Sequence, residues 1–261
     1  MPEVLWESNG RIEEGKALPE LLTEYKKVTV ADGSEMQVYY ARPATASRYP
    51  GLVLFQEAFG VNEHIRTVAE RFARENWVVV APELFHRTAP GFQADYNKIR
   101  AAMPHMRALT EQGLEADIRA AHNLLRDDSA ADTEKIASVG FCMGGRVSFL
   151  AATVLPLKAA VSFYGGGIGP SASGPGLLNH VPDIQAPVLL FWGGLDQHIG
   201  HDQPQTVVSA LRAAKKKYVN VEISDADHGF FCDAQPSYNP EASVEAWALT
   251  KAFFDCHVGK C

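Results

Sequence analysis

The sequence predicts a single α/β domain, built on a mostly parallel central sheet of about seven or eight strands flanked by helices. Three observations lead there. Short continuous apolar runs such as Gly51-Leu52-Val53-Leu54-Phe55 and Trp77-Val78-Val79-Val80-Ala81 have the length of strands and the unbroken apolar character of strands covered on both faces. Segments with helical period separate these runs, so strand and helix alternate. The 261 residues, 46% hydrophobic and 21% charged, are enough for one sizeable core, and neither a linker nor an internal repeat divides them.

Taken in order, residues 1–22 show little periodicity and read as an extension laid over the surface, which leaves 23–261 as the domain, with regular structure expected from Glu24. The alternating runs YKKVTV and EMQVYYARP flank Ala31-Asp32-Gly33-Ser34. A Gly after an Asp between β-branched runs signals a hairpin turn, so the sheet is expected to open antiparallel. Between the first two apolar runs, Ile65, Val68, Ala69, Phe72 and Ala73 recur at helical spacing. Leu114, Ile118, Ala121 and Leu125 form a second stripe before a strand at Lys135 to Phe141. An apolar helix is expected from Arg146 to Leu155, with further strands at Ala159 to Tyr164, Val188 to Trp192 and Val219 to Ser224. The Gly/Ser/Pro-rich stretch 165–182 has no usable period and is either a lid or a long connection.

Charge excludes some partners. A formal net charge of −7 and a pI near 5.7 argue against a phosphate-backbone ligand, and the run Lys215 to Lys217 reads as a solvated helix end. No stretch has the apolar length of a membrane span, and the N-terminus lacks an apolar core bounded by basic residues. The four cysteines, Cys142, Cys232, Cys256 and Cys261, are too few and too uneven for a disulfide framework. The expectation is a soluble cytoplasmic protein, a monomer or small homo-oligomer, without nucleic-acid or membrane partners.

The sharpest chemical signal is Gly140-Phe141-Cys142-Met143-Gly144-Gly145, where a strand ends and an apolar helix begins. A nucleophile held at a strand-to-helix elbow needs nearly side-chain-free neighbours two before and two after it, and Gly140 and Gly144 meet that need. The helix N-terminus behind such a thiol favours its thiolate and offers the Met143 N–H to a developing oxyanion. The competing reading is a buried Cys in a tight turn. Chain order decides between them, because α/β-hydrolases present nucleophile, acid and histidine after successive strands. Asp196 follows the strand VLLFW and Gly193-Gly194, and His228 follows the next strand in Asp225-Ala226-Asp227-His228-Gly229-Phe230. Of the nine histidines, only His228 sits beyond the last strand with a Gly beside it. His198, His201 and Asp202 lie close in sequence, but such spacing on a loop is weak grounds for a metal site, and none is assigned.

From Glu24 onward the sequence resembles the dienelactone hydrolase (carboxymethylenebutenolidase) family of the α/β-hydrolase superfamily. Gln56-Glu57-Ala58-Phe59-Gly60-Val61-Asn62 resembles that family's loop after the third strand, and Gly140 to Gly145 its cysteine elbow. Gly193-Gly194-Leu195-Asp196 and His228-Gly229-Phe230 resemble the acid and histidine loops, and Pro82-Glu83-Leu84-Phe85-His86-Arg87 a segment whose arginine faces the substrate carboxylate. The resemblance implies a carboxylic ester hydrolase that opens a lactone or small ester through Cys142, His228 and Asp196 and a thioester acyl-enzyme, with no cofactor. It implies that Glu57 takes the thiol proton when substrate arrives and that the Ala58 N–H is the second oxyanion donor. It further implies that Arg87 meets the substrate carboxylate, or Glu57 in the resting enzyme, and that Tyr164 lines the pocket, although core packing suits Tyr164 equally. One departure stands out: where the family has a second arginine after the histidine, this sequence has Cys232. A broad carboxylesterase or thioesterase would use the same residues, and a non-catalytic redox-sensing or binding protein could use Cys142 without needing Asp196 or His228.

Overall fold

A computed structural model describes residues 19–171 and 174–259. Its framework is an eight-stranded sheet in the order β1-β2-β4-β3-β5-β6-β7-β8. The strands are β1 (Leu21–Thr29), β2 (Glu35–Pro43), β3 (Tyr49–Phe55), β4 (Val78–Pro82), β5 (Ala131–Phe141), β6 (Ala159–Phe163), β7 (Val188–Gly193) and β8 (Tyr218–Ile223). β1 pairs antiparallel with β2, and β2 antiparallel with β4; every other pairing is parallel. The expected hairpin turns at Asp32, whose carboxylate accepts the Ser34 N–H at 3.0 Å, with Gly33 left-handed at φ 84°. Strand β1 begins at Leu21, ahead of the expected Glu24, because Leu21 and Leu22 still pair with Pro43 and Arg42. The rest of the expected extension, residues 1–18, lies outside the described residues.

The helices are α1 (Glu63–Arg74), α2 (Ile99–Ala108), α3 (Glu111–Arg126), α4 (Met143–Val154), α5 (Asp202–Ala213) and α6 (Pro240–Phe254). Helix α1 starts at Asn62, whose side chain accepts the Ile65 N–H, and buries the predicted stripe Ile65, Val68, Ala69, Phe72 and Ala73. Phe72 packs on Trp247 of α6, ring centroids 4.5 Å apart, while α3 packs against α4. Helix α4 has no polar face to offer: Val147 through Ala152 are all buried, as suits the central helix of such a sheet. Helices α2, α5 and α6 lack a stripe that the sequence makes obvious, and α2 even has Pro104 inside it.

Two consequences bear on the site. Strand β3 connects outward to β4 on one side, whereas β5 lies on its other side. The strand order therefore reverses between β3 and β5, and loops leaving their carboxyl ends diverge to leave a crevice. Glu57 and Cys142 follow those two strands. Beneath the loops, Phe141, Phe163 and Phe191 stand in register on β5, β6 and β7, stacked at 4.7 and 4.5 Å, which gives the site a rigid floor.

The stretch 165–182 is a packed connection rather than a free flap where it is described: Ile168, Leu177 and Val181 are buried, and a short 3-10 turn covers Leu178–Asp183. Lys216, expected on a solvated helix end, donates from Nζ to the carbonyls of Pro182 and Ile184 at 2.6 and 2.7 Å. Among the described residues no helix is long and apolar enough to cross a membrane.

Candidate active site

Strand β5 ends at Phe141 and the chain turns into α4 through Cys142, which has φ 55° and ψ −119°. A non-glycine residue at positive φ is strained and persists only where its surroundings hold it. Here the Cys142 N–H donates to the Phe163 carbonyl at 3.0 Å, and its own carbonyl accepts the Gly145 N–H at 2.9 Å. The glycines are steric necessities. A Cβ on Gly140 would run into the Gly144 carbonyl, and one on Gly144 into the carbonyls of Phe55 and Gln56. All of these are backbone atoms that cannot swing aside.

The thiol that results is half-buried at the N-terminus of α4. His228 Nε2 lies 3.1 Å from Cys142 Sγ, and His228 Nδ1 lies 2.8 Å from Asp196 Oδ2. Asp196 is itself fixed, its Oδ1 accepting the N–H groups of His198 and Ile199 at 2.7 and 3.0 Å. Burial opposes charge on His228, but a Cys142 thiolate and the Asp196 carboxylate outweigh it and push the imidazole up to about 11. Burial likewise works against the Asp196 carboxylate, and the bonds from His228 and the two amides reverse the balance, holding it below the usual carboxylate range. The ring of His198 lies edge-on to that of His228, centroids 5.0 Å apart. Among the described residues, no internal acceptor takes the N–H of Met143 or Ala58, the two amides expected at an oxyanion.

Glu57 is completely buried at the end of β3. Its Oε1 accepts from Gln235 Nε2 at 3.2 Å and from the Tyr164 hydroxyl at 3.5 Å, while Oε2 has no hydrogen-bond partner. A buried polar atom left unpaired costs about 1–3 kcal/mol. Burial raises the Glu57 carboxyl above its ordinary range, against the opposing charges of His64 and His228. Tyr164, left-handed at φ 38°, is fully buried with its ring 5.1 Å from that of His228; it serves packing and the Glu57 contact at once.

Arg87 departs from expectation. Its Nη1 and Nη2 form a two-pronged bond with Asp117 at 2.9 and 2.8 Å, and its Nε donates to Asp32 at 2.6 Å. Asp117 is fully buried on α3 and also meets His86 Nε2 at 3.0 Å. The guanidinium fork expected for a substrate carboxylate is therefore filled by a carboxylate of the protein itself, and Glu57 pairs with Tyr164 and Gln235 rather than with Arg87. The physical reason is that a buried carboxylate requires a charged partner, and the loop after β4 supplies the Arg87 guanidinium.

The pattern that defines the dienelactone hydrolase family matches residues 36–258. The chain belongs to the dienelactone hydrolase family. A Synechocystis sp. protein provisionally named a carboxymethylenebutenolidase is 34% identical over 221 residues, 83% of this chain and 89% of its own. An Escherichia coli (strain K12) protein of the same provisional name is 33% identical over 242 residues, 88% of this chain and 86% of its own. The crystal structure of a Klebsiella pneumoniae protein, provisionally titled a dienelactone hydrolase, superposes with a TM-score of 0.81 at 31% identity, covering 90% of this chain and 98% of that one. The fold is that of the α/β-hydrolases, and the protein is a hydrolase.

In this dienelactone hydrolase family member the structure also gathers residues that the sequence does not bring together. Gln235, on Glu57, lies far from it in the chain and has no motif around it. Tyr96 accepts from the Asn62 side-chain amide at 3.0 Å, next to the Glu57 loop. His64, on the buried face of α1, shares with Glu57 and Cys232 a cluster in which one ligand-type atom of each lies within 4.8 Å of the others. Helical period reads His64 only as a core-facing position. Cys256 is exposed, and Cys261 lies outside the described residues.

Proposed function

We propose that the protein hydrolyses small carboxylic esters or lactones through a covalent thioester on Cys142, with His228 and Asp196 completing a triad. The observation that supports it is the continuous chain from Cys142 Sγ to His228 Nε2 at 3.1 Å and from His228 Nδ1 to Asp196 Oδ2 at 2.8 Å, at the strained elbow of an α/β-hydrolase sheet. The thiolate attacks the acyl carbon, and the N–H groups of Met143 and Ala58 receive the oxyanion. The His228 imidazolium then protonates the departing alkoxide oxygen, leaving a thioester and a neutral imidazole. In the second half His228 takes a proton from water, the hydroxide attacks the thioester, and Cys142 leaves as thiolate. Asp196 fixes the tautomer and supports the positive charge. Glu57, buried and with a raised proton affinity, accepts the thiol proton of Cys142 as substrate enters beside the already protonated His228, and returns it to the Cys142 thiolate released in the second half.

The arginine geometry favours a second reading of substrate range. With the Arg87 fork filled by Asp117 and Cys232 in place of the other family arginine, the site lacks the two-arginine clamp, which suits a broad esterase or thioesterase better than an enzyme strict for dienelactone. The test is intact-mass analysis of the enzyme mixed with a small activated ester. We expect one acyl group on Cys142, persisting longer in Asp196→Asn and absent in Cys142→Ala. Full turnover by Cys142→Ala would overturn the proposal.

A further inference from the structure

The cluster behind the catalytic loop has the composition of a metal centre. Glu57 and Cys232 are completely buried and His64 nearly so, and one ligand-type atom of each lies within 4.8 Å of the other two. Two buried atoms there, Glu57 Oε2 and His64 Nε2, have no hydrogen-bond partner. His64 is backed by a carboxylate, with Asp233 Oδ1 3.6 Å from Nδ1. This ion pair is a short movement away from the hydrogen bond by which an outer carboxylate orients a histidine, and it leaves the other nitrogen for a metal. Thiolate, imidazole and carboxylate together suit a borderline-soft divalent ion and not magnesium or calcium. Tyr96 interacts with both Glu57 and Cys232.

We propose that Cys232, His64 and Glu57 form a binding site for a thiophilic divalent cation of the zinc type, and that its occupancy holds Glu57 and stops turnover. Donors around such an ion stand roughly 3.3–3.8 Å apart, so binding draws the three side chains slightly inward. The cation takes both unpaired atoms as ligands and displaces two protons to solvent, the Cys232 thiol proton and the Nε2 proton of the charged His64. No triad residue takes part in the site. The inhibition half rests on the role proposed above for Glu57; the binding half does not.

The test uses Cys142→Ala, which removes the competing active-site thiol, titrated with Co²⁺ while thiolate-to-cobalt absorption is followed, then with Zn²⁺ in competition. We expect one Co²⁺ per chain. Cys232→Ser in the same background should abolish the band, and Asp233→Asn, whose side chain is 73% exposed and so poses little folding risk, should weaken affinity about tenfold or more. Absence of the band in Cys142→Ala, its survival in the double variant with Cys232→Ser, or unchanged affinity in Asp233→Asn each overturns the site. Separately, Zn²⁺ should halt ester hydrolysis by the wild type, reversibly with a chelator, at the concentration at which the site fills in Cys142→Ala, and Cys232→Ser should resist that concentration, which separates the site from zinc held by Cys142. Full activity of the loaded enzyme would overturn the inhibition half while leaving the binding result standing.

Discussion

Replacing Arg87 by Ala separates a structural arginine from a substrate-binding one. In the folded protein its two Nη donors meet the fully buried Asp117 at 2.9 and 2.8 Å. The substitution leaves that carboxylate with His86 as its other partner, at 3.0 Å. Breaking a fully buried pair from one side costs about 3–5 kcal/mol. Because the Arg87 side chain is 28% exposed, water enters the gap and solvates part of the carboxylate, so we expect about 2–4 kcal/mol. For a chain of this size that corresponds to a fall in Tm of roughly 5–15 °C. The assay is urea unfolding of wild type and Arg87→Ala at neutral pH, together with kcat/KM for a matched pair of small esters with and without a carboxylate. We expect a large loss of stability and equal effects on the two esters. Unchanged stability, with a tenfold or greater loss confined to the anionic ester, would refute the reasoning and return Arg87 to the substrate.

Asp196→Asn should retain the fold and lower kcat by roughly 10³–10⁴-fold, because the imidazole loses its anchored tautomer; steady-state kinetics decide it. Glu57→Gln should lower kcat by about 10²-fold and remove any substrate-stimulated labelling of Cys142 by iodoacetamide, read by mass spectrometry. Gly144→Ala should cost at least about 3 kcal/mol and all activity, since its Cβ strikes the Phe55 and Gln56 carbonyls; a stable, active variant would contradict the elbow geometry. His228 binds its proton more tightly in the folded state than its ordinary 6.5. Its contribution to stability is therefore complete below that value and lost as pH rises toward 11. Denaturant unfolding across that range should show wild type losing more stability than Cys142→Ala, which lacks the thiolate that helps to raise the imidazole.

By itself the sequence determined the alternation of apolar runs and helical stripes, hence the layered parallel sheet, because periodicity records which faces are buried. It determined the elbow as well: Gly140, Cys142 and Gly144 answer a steric demand that acts within one turn, and local demands leave local signatures. Asp196 and His228 were legible through chain order, since each follows its strand directly. What lay beyond it were pairings between distant segments. That Arg87 would meet Asp117 on α3, that Gln235 would reach Glu57, and that His64 and Cys232 would converge on the same carboxylate depend on how α1, α3 and the loop after β8 pack around the sheet. An arginine in a family-like motif and a histidine on an apolar helix face look the same in sequence whatever they touch. Only the tertiary structure decided their partners, because a buried charge is matched with whatever opposite charge the packing brings within reach, and that distance is a property of the folded chain.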